Sequence, residues 1–132
     1  MKPQPILTVR DVNESARFYC ALLGAQRGHA GDDYAQILVD GEMILQLHNF
    51  DADDDHDALG NEIAALGNGV VVWFETDDFD GVVSRIATAE IATDRAPAMN
   101  PYAKQMEVWL HDPDGYQVVI AGPSPYPREA ID

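Results

Sequence analysis

The chain has one cysteine, few basic side chains and no long apolar run. Cys20 alone cannot form an internal disulfide, so nothing requires an oxidising compartment, and a cytoplasmic location is expected. No apolar stretch reaches the roughly 18 residues that a membrane span needs, and the first residues lack an apolar signal core. The sequence therefore predicts one globular domain over residues 1–132.

The charge is strongly one-sided, with 8 Lys and Arg against 23 Asp and Glu and a net charge of −15. Proteins that bind nucleic acids or anionic membranes usually display basic patches, so neither partner is expected. The negative charge would attract a cationic partner at long range, although acidity also serves solubility. The chain also lacks a G-x-S-x-G elbow, a phosphate-binding glycine loop and paired cysteines, so nucleophilic catalysis has no support.

The first half of the chain predicts a strand, a helix and then further strands. Residues 6–9 are prone to form a strand. Asp11 can cap a helix, with Glu14 three residues later, and Gly24 can end that helix. Residues 34–39 and 42–48 resemble two strands, and Asp40-Gly41 between them is typical of a tight hairpin turn.

The second half repeats this order. Residues 70–76 predict a strand, and the carboxylates of Asp77, Asp78 and Asp80 mark the start of a helix. A loop containing Pro97 and Pro101 leads into strands at 106–111 and 116–121. The repeat predicts two modules, over about 4–49 and 69–122, with an acidic connector at about 50–68 and a tail at 123–132.

Several short motifs resemble those of the vicinal-oxygen-chelate superfamily, which includes glyoxalases, bleomycin resistance proteins and extradiol dioxygenases. They are Val9-Arg10-Asp11-Val12, Phe18-Tyr19, Leu22-Leu23-Gly24, Phe74-Glu75-Thr76-Asp77-Asp78-Phe79-Asp80 and Asp112-Pro113-Asp114-Gly115-Tyr116. The resemblance implies an α+β fold in which paired βαβββ modules form a cupped, barrel-like mixed sheet. The helices would cover its outer face, a ligand would sit in its concave face, and a homodimer is expected.

Strand alternation selects the side chains of the concave face, because successive residues point to opposite faces. We predict eight ligand-binding residues on this face and on the loop beside it: Gln46, His48, Trp73, Glu75, Tyr102, Glu107, Trp109 and His111. The tryptophans suit stacking or cation–π contact, with the glutamates as counter-charges. The same composition also suits a sheet face buried in a dimer interface.

The resemblance implies a test for a metal, because metal-using members place four ligands at equivalent positions of the two modules. Those positions fall on Gln4, Gln46, Val71 and Val119, and two valines offer no donor atom. We therefore predict no metal and no cofactor. An alternative is that His48 and His111, with Glu75 or Glu107, rebuild a metal or acid–base site elsewhere.

The acidic connector has the spacing of a calcium loop at Asp51, Asp53, Asp55, Asp57 and Glu62. However, His56 stands at the sixth position, where the sharp turn of an EF-hand needs glycine. A solvated acidic loop is the preferred interpretation.

These observations predict a metal-independent protein, similar to the bleomycin-resistance branch, that binds a cationic or aromatic small molecule. Two alternatives stay open. One is a metal-dependent glyoxalase-like lyase or isomerase, or a dioxygenase, and the other is a dimeric interaction module without a ligand.

Overall fold

The structure, a computed structural model, describes residues 1–131. Asp132, the last residue of the predicted tail, lies outside the described residues. The first module contains β1 (Ile6–Thr8), α1 (Val12–Leu23), β2 (Gln26–Gly28), β3 (Tyr34–Val39) and β4 (Glu42–His48). The second contains β5 (Val71–Glu75), α2 (Phe79–Thr88), β6 (Arg95–Asn100), β7 (Gln105–His111) and β8 (Gln117–Ala121).

Each module forms its own four-stranded mixed sheet with the same topology. The strand orders are β1-β4-β3-β2 and β5-β8-β7-β6, and in each sheet the first strand pairs in parallel with the last. This confirms the α+β class and the repeated βαβββ order. The two sheets do not close on each other, so the fold is cupped rather than a barrel.

Both helices start, and α1 also ends, where the sequence predicts. The Asp11 side chain caps α1 by accepting a hydrogen bond from the Glu14 N–H at 3.0 Å, and Gly24 ends it in a left-handed conformation at φ 63°. The Asp78 side chain caps α2 in the same way, through the Gly81 N–H at 3.0 Å. The capping residues thus fix the entry of each helix onto its sheet.

The sequence interpretation is wrong at one strand. Residues 95–100, expected to be a loop because of Pro97, form β6. Pro97 is tolerated because β6 is the edge strand of its sheet and its pairing with β7 is interrupted between Arg95 and Ala98. The short strand β2 was also not located from the sequence, because its three residues carry no alternation of apolar and polar side chains.

One continuous core lies between the two helices and the inner faces of the two sheets. Its fully buried members come from both modules, and they include Tyr19, Leu22, Leu47, Leu110 and Ile120. The helices also contact each other. Within residues 1–131, no helix has the length and the apolar composition that crossing a bilayer requires.

The turn at residues 112–115 joins the two modules through buried polar contacts. The Asp112 carboxylate accepts hydrogen bonds from the Tyr19 hydroxyl at 2.7 Å and from the backbone N–H groups of Asp114 and Tyr116, each at 2.9 Å. The Tyr116 hydroxyl donates to the carbonyl of Thr8 at 2.8 Å. Burial raises the pKa of both Asp112 and Tyr19.

Candidate functional site

The concave face carries the side chains that strand alternation predicts. In β4, Leu45 and Leu47 are fully buried toward α1, whereas Gln46 and His48 are only partly buried on the opposite face. In β7, the fully buried Val108 and Leu110 alternate with the partly buried Trp109 and the exposed His111, while Glu107, which shares their face, is itself buried. In both strands, the residues that the sequence assigned to each face of the sheet therefore lie on that face.

A groove of about 950 Å³ lies between the first module, at β1 and β4, and β5 of the second module. Its apolar walls include Ile6, Met43, Ile44, Val71 and Trp73. Ile6, Val71 and Trp73 are each about half exposed, which is unusual for large apolar side chains at one place. The volume and the lining suit a small organic molecule.

The charged residues of the groove lie at one end. Lys2 and Glu42 line it and form an ion pair at 3.2 Å. Both side chains are well exposed, so the pair contributes little to stability. Among the eight predicted ligand-binding residues, Trp73 is the one that lines this groove.

The four positions that the family resemblance assigns to a metal do not fit one. Both ends of the Gln46 side-chain amide are engaged. Its Oε1 accepts a hydrogen bond from the Tyr34 hydroxyl at 2.5 Å, and its Nε2 donates to the backbone carbonyl of Gln4 at 2.9 Å. Val71 supplies no donor atom, and Val119 is fully buried. A divalent ion placed there would have no charged ligand to offset the loss of its hydration.

Two tryptophans cover Val119. The strand register places Val119 opposite Trp73 on one side and opposite Trp109 on the other. The two indole rings lie edge to face, with centroids 6.2 Å apart and planes at 90°. The position at which metal-using family members would place a ligand is therefore occupied here by a valine buried beneath two indole rings.

Charged side chains of the second sheet contact the Trp109 indole. Its Nε1 donates to the Glu107 carboxylate at 3.0 Å, and Asn100 donates to the second oxygen of Glu107 at 2.9 Å. The Arg95 guanidinium lies 4.8 Å from the centre of the indole, a cation–π contact that the sequence did not suggest. The Glu107 carboxylate is therefore already hydrogen-bonded within the protein. This differs from the sequence-based expectation that it is free to pair with a cationic ligand.

A smaller pocket of about 310 Å³ lies beside this cluster, between β6 and β7. Tyr102, Glu107 and Trp109 line it together with Arg95. The Tyr102 side chain is 90% exposed. These three of the predicted residues are thus brought together, but apart from the larger groove.

Glu75 contacts the C-terminal tail. Its carboxylate accepts a hydrogen bond from the Ser124 N–H at 2.9 Å and pairs with Arg128 at 2.7 Å. These two contacts, the backbone one first, lower the pKa of Glu75. The tail therefore lies against the end of β5 over the described residues.

The two histidines considered as a joint site do not meet. His111 pairs with Asp94 on the second sheet. His48, on the first sheet, lies against Tyr34, with ring centroids 6.1 Å apart, and against His56, at 4.8 Å. The structure thus replaces the hypothetical pair of His48 and His111 with a different one.

His48, His56 and Asp53 form a cluster whose donor atoms all lie within 4.8 Å of one another. Their closest approaches are 3.3 Å between the two Nε2 atoms and 3.2 Å from His56 Nε2 to Asp53 Oδ2. The backbone N–H groups of Asp55 and His56, the former more strongly, lower the pKa of Asp53. Sequence reasoning considered Asp53 and His56 only as positions of a calcium loop and preferred a solvated loop, and it did not connect them with His48, which lies within eight residues of both.

Comparison with known proteins identifies relatives for nearly the whole chain. Residues 3–120 match the model of the Glyoxalase/Bleomycin resistance protein/Dioxygenase superfamily. A trivalent organoarsenical cleaving enzyme from Bacillus sp. (strain MD1) is 29% identical over 111 residues. That match covers 83% of this chain and 65% of the enzyme, so the chain spans about two thirds of that relative's length.

Solved structures with the same fold include enzymes and resistance proteins. A lactoylglutathione lyase from Agrobacterium tumefaciens superimposes with a TM-score of 0.67 at 19% identity, over 92% of each chain. The fosfomycin resistance protein FosX from Mesorhizobium loti superimposes with a TM-score of 0.64 at 15% identity, over 95% of this chain and 92% of that one. At such identities the likeness establishes the fold and leaves the activity open.

Proposed function

Since the chain belongs to the Glyoxalase/Bleomycin resistance protein/Dioxygenase superfamily, we propose that it binds a cationic aromatic small molecule without using a metal in the groove. The observation that carries this proposal is the apolar groove of about 950 Å³ beside the four metal positions, two of which are valines without a donor atom and none of which is charged. Binding by sequestration, as in the bleomycin-resistance branch, requires only such a groove.

The aromatic and electrostatic features of the molecule favour a cationic ligand. Trp73 is 45% exposed on the groove wall, where its ring can stack on a planar molecule or contact a positive charge. A cation–π contact of this kind contributes on the order of 0.5–2 kcal/mol, depending on how far it is desolvated. The net charge of −15 raises the local concentration of cations around the whole protein.

A metal-dependent enzyme is the second candidate, because the relative from Bacillus is named as an organoarsenical cleaving enzyme. Catalysis at the family-equivalent positions is disfavoured by the two valines and by the engaged amide of Gln46. A glyoxalase-like lyase or a dioxygenase would therefore need a ligand set at another place in the fold.

The proposal includes a homodimer that completes the ligand site. Half-exposed Ile6, Val70, Val71 and Trp73 leave an apolar surface at the groove that a second copy can cover. The third candidate, an interaction module without a ligand, shares this dimer but would fill the groove with side chains of the partner. Sedimentation velocity measures the assembly, and a monomer at all concentrations would remove both the dimer and the third candidate.

Isothermal titration calorimetry on EDTA-treated protein tests the groove. Ethidium serves as a planar cationic probe, and 1-anilinonaphthalene-8-sulfonate as an anionic aromatic control. We expect ethidium to bind at least tenfold more tightly than the anion. Trp73→Ala should weaken ethidium binding about tenfold, equivalent to about 1.4 kcal/mol.

The matched control is Tyr126→Ala, which removes a half-exposed aromatic side chain of the tail that does not line the groove. This variant should bind ethidium like the unchanged protein. Equal affinity of Trp73→Ala and the unchanged protein would exclude the groove as the site. Equal affinity for the cation and the anion would exclude the charge preference.

A further inference from the structure

The histidine cluster at the end of β4 has a hydrogen-bonding pattern that protein groups alone do not satisfy. His48 Nδ1 lies 2.8 Å from the Asn49 carbonyl oxygen, and His56 Nδ1 lies 2.7 Å from the Asp57 carbonyl oxygen. A carbonyl oxygen only accepts hydrogen bonds, so each Nδ1 must carry the hydrogen. In a neutral imidazole the other ring nitrogen, Nε2, is then a bare acceptor.

The two bare acceptors face each other. His48 Nε2 and His56 Nε2 are 3.3 Å apart, and neither has a hydrogen to donate to the other. Asp53 Oδ2, a third acceptor, lies 3.2 Å from His56 Nε2 and 3.9 Å from His48 Nε2. Three acceptors therefore converge on one point, where a cation or an added proton would stabilise them.

The distances fit a tetrahedral metal. Zinc–nitrogen and zinc–oxygen bonds of about 2.0–2.1 Å place neighbouring tetrahedral ligands about 3.3–3.4 Å apart. Two of the three separations, 3.3 and 3.2 Å, have this length. The third, at 3.9 Å, would shorten by about half an ångström through rotation of the Asp53 side chain, which is about half exposed.

Backbone groups orient all three ligands. The Nδ1–H groups of the histidines donate to carbonyl oxygens, which is the usual outer-shell arrangement of metal-binding histidines. Asp53 Oδ1 accepts from the N–H groups of Asp55 and His56, at 2.8 and 3.0 Å, and this leaves Oδ2 facing the imidazoles. The donors are thus held in place before any ion binds.

We propose that His48, Asp53 and His56 bind one divalent transition metal of the zinc class, at a site separate from the groove and from the family-equivalent positions. Two imidazoles and one carboxylate suit such an ion, and they leave one coordination position for water or for an external ligand. The carboxylates of Asp51, Asp54, Asp55 and Asp57, in the same segment, provide the remaining negative charge.

Binding would tie the acidic connector to the first module. His48 belongs to β4 and its side chain is only 12% exposed, whereas Asp53 and His56 belong to the connector. A metal bridging them would restrain residues 49–56 against the C-terminal end of β4. This site goes beyond the proposed ligand binding, and the ethidium titration in EDTA is independent of it.

The experiment uses untagged protein, dialysed against EDTA and then titrated with zinc chloride by calorimetry. We expect one zinc ion per chain. His48→Gln and His56→Gln should each weaken binding at least about a hundredfold, because even losing an outer-shell partner typically costs 10–100-fold. His111→Gln is the matched control, since it removes a histidine that also pairs with an aspartate but has no second histidine beside it.

Cobalt provides a second measurement. Replacing zinc with cobalt(II) should give the intense visible absorption of a four-coordinate ion in the unchanged protein and in His111→Gln, but not in His56→Gln. His56 lies in the connector outside the core, so this variant should keep its fold, as circular dichroism would verify. Equal zinc affinity of His56→Gln and the unchanged protein would overturn the proposal and leave a shared proton as the reason for the close Nε2 atoms.

Discussion

The two modules share one topology but line their concave faces with different chemistry. At the centre of the first face, the register aligns Ile6, Gln46 and Gln36 across three strands. At the equivalent place in the second, it aligns Trp73, Val119 and Trp109. The central residue of the first row, Gln46, is hydrogen-bonded and partly exposed, whereas the central residue of the second, Val119, is completely buried under two indoles.

The turns that precede β4 and β8 also differ in how far they are buried. Asp40-Gly41 forms an exposed two-residue turn, with both residues at positive φ, of 51° and 77°. Its counterpart, residues 112–115, is built around the buried Asp112 and hydrogen-bonds to the first module. The first module therefore carries amide side chains at the centre of its face, and the second carries the aromatic cluster and the turn that contacts the first module.

The largest difference should come from introducing the same carboxylate at the two equivalent positions. Val119→Glu places an unpaired charge at a fully buried site and should lower the free energy of unfolding by about 3–5 kcal/mol. Gln46→Glu is partly exposed and keeps an acceptor for the Tyr34 hydroxyl, so it should cost about 1 kcal/mol. Urea unfolding measures both, and similar losses would show that the two faces are equally buried in solution.

Substitutions in the two turns should differ less in their effect on the free energy of unfolding. Asp112→Ala leaves the buried Tyr19 hydroxyl without its acceptor and frees two backbone N–H groups, at a cost of about 2–3 kcal/mol. Asp40→Asn keeps a side chain that tolerates positive φ at an exposed site, and it should change stability by less than about 0.5 kcal/mol. A loss below about 1 kcal/mol for Asp112→Ala in urea unfolding would show that the turn does not join the modules.

The smallest effect concerns the tail, which is bound by Glu75 of the second module. Because Glu75 has a lowered pKa, its contacts with Ser124 and Arg128 should persist below the ordinary value of 4.5 and be lost as the pH falls through the lowered one. At neutral pH, Glu75→Gln should accelerate tryptic cleavage after Arg128 a few-fold. Glu42→Gln, which removes the carboxylate paired with Lys2, is the control and should leave that rate unchanged. Equal rates for both variants would show that Glu75 does not hold the tail.

Much of the fold could be predicted from local patterns. Asp11 and Gly24 set the limits of α1, and Asp40-Gly41 set the hairpin, because capping and turn chemistry depend on neighbouring residues only. The facing of β4 and β7 followed from alternation. β6 was missed because Pro97 argues against a strand unless one knows that the strand lies at an edge.

The candidate site was predicted less completely. The seven predicted strand residues face the side that alternation assigns them, but the eight predicted residues do not form one site. Trp73 lines the groove, three others line the smaller pocket, Glu75 contacts the tail and His48 belongs to the histidine cluster. Gln46 and His111 each have separate partners. Glu75 and Glu107 have partners that are distant in sequence or come from another strand, and no local pattern reveals such partners.

The sequence by itself determined the repeated βαβββ order, the family and the absence of donor atoms at Val71 and Val119, because each depends on residue type and spacing along the chain. Only the tertiary structure decided that Trp73 and Trp109 meet over Val119, that Asp112 joins the modules, and that His56 and Asp53 reach His48. These contacts depend on how sheets and loops pack in space, and packing brings together atoms whose separation in sequence carries no information about their distance.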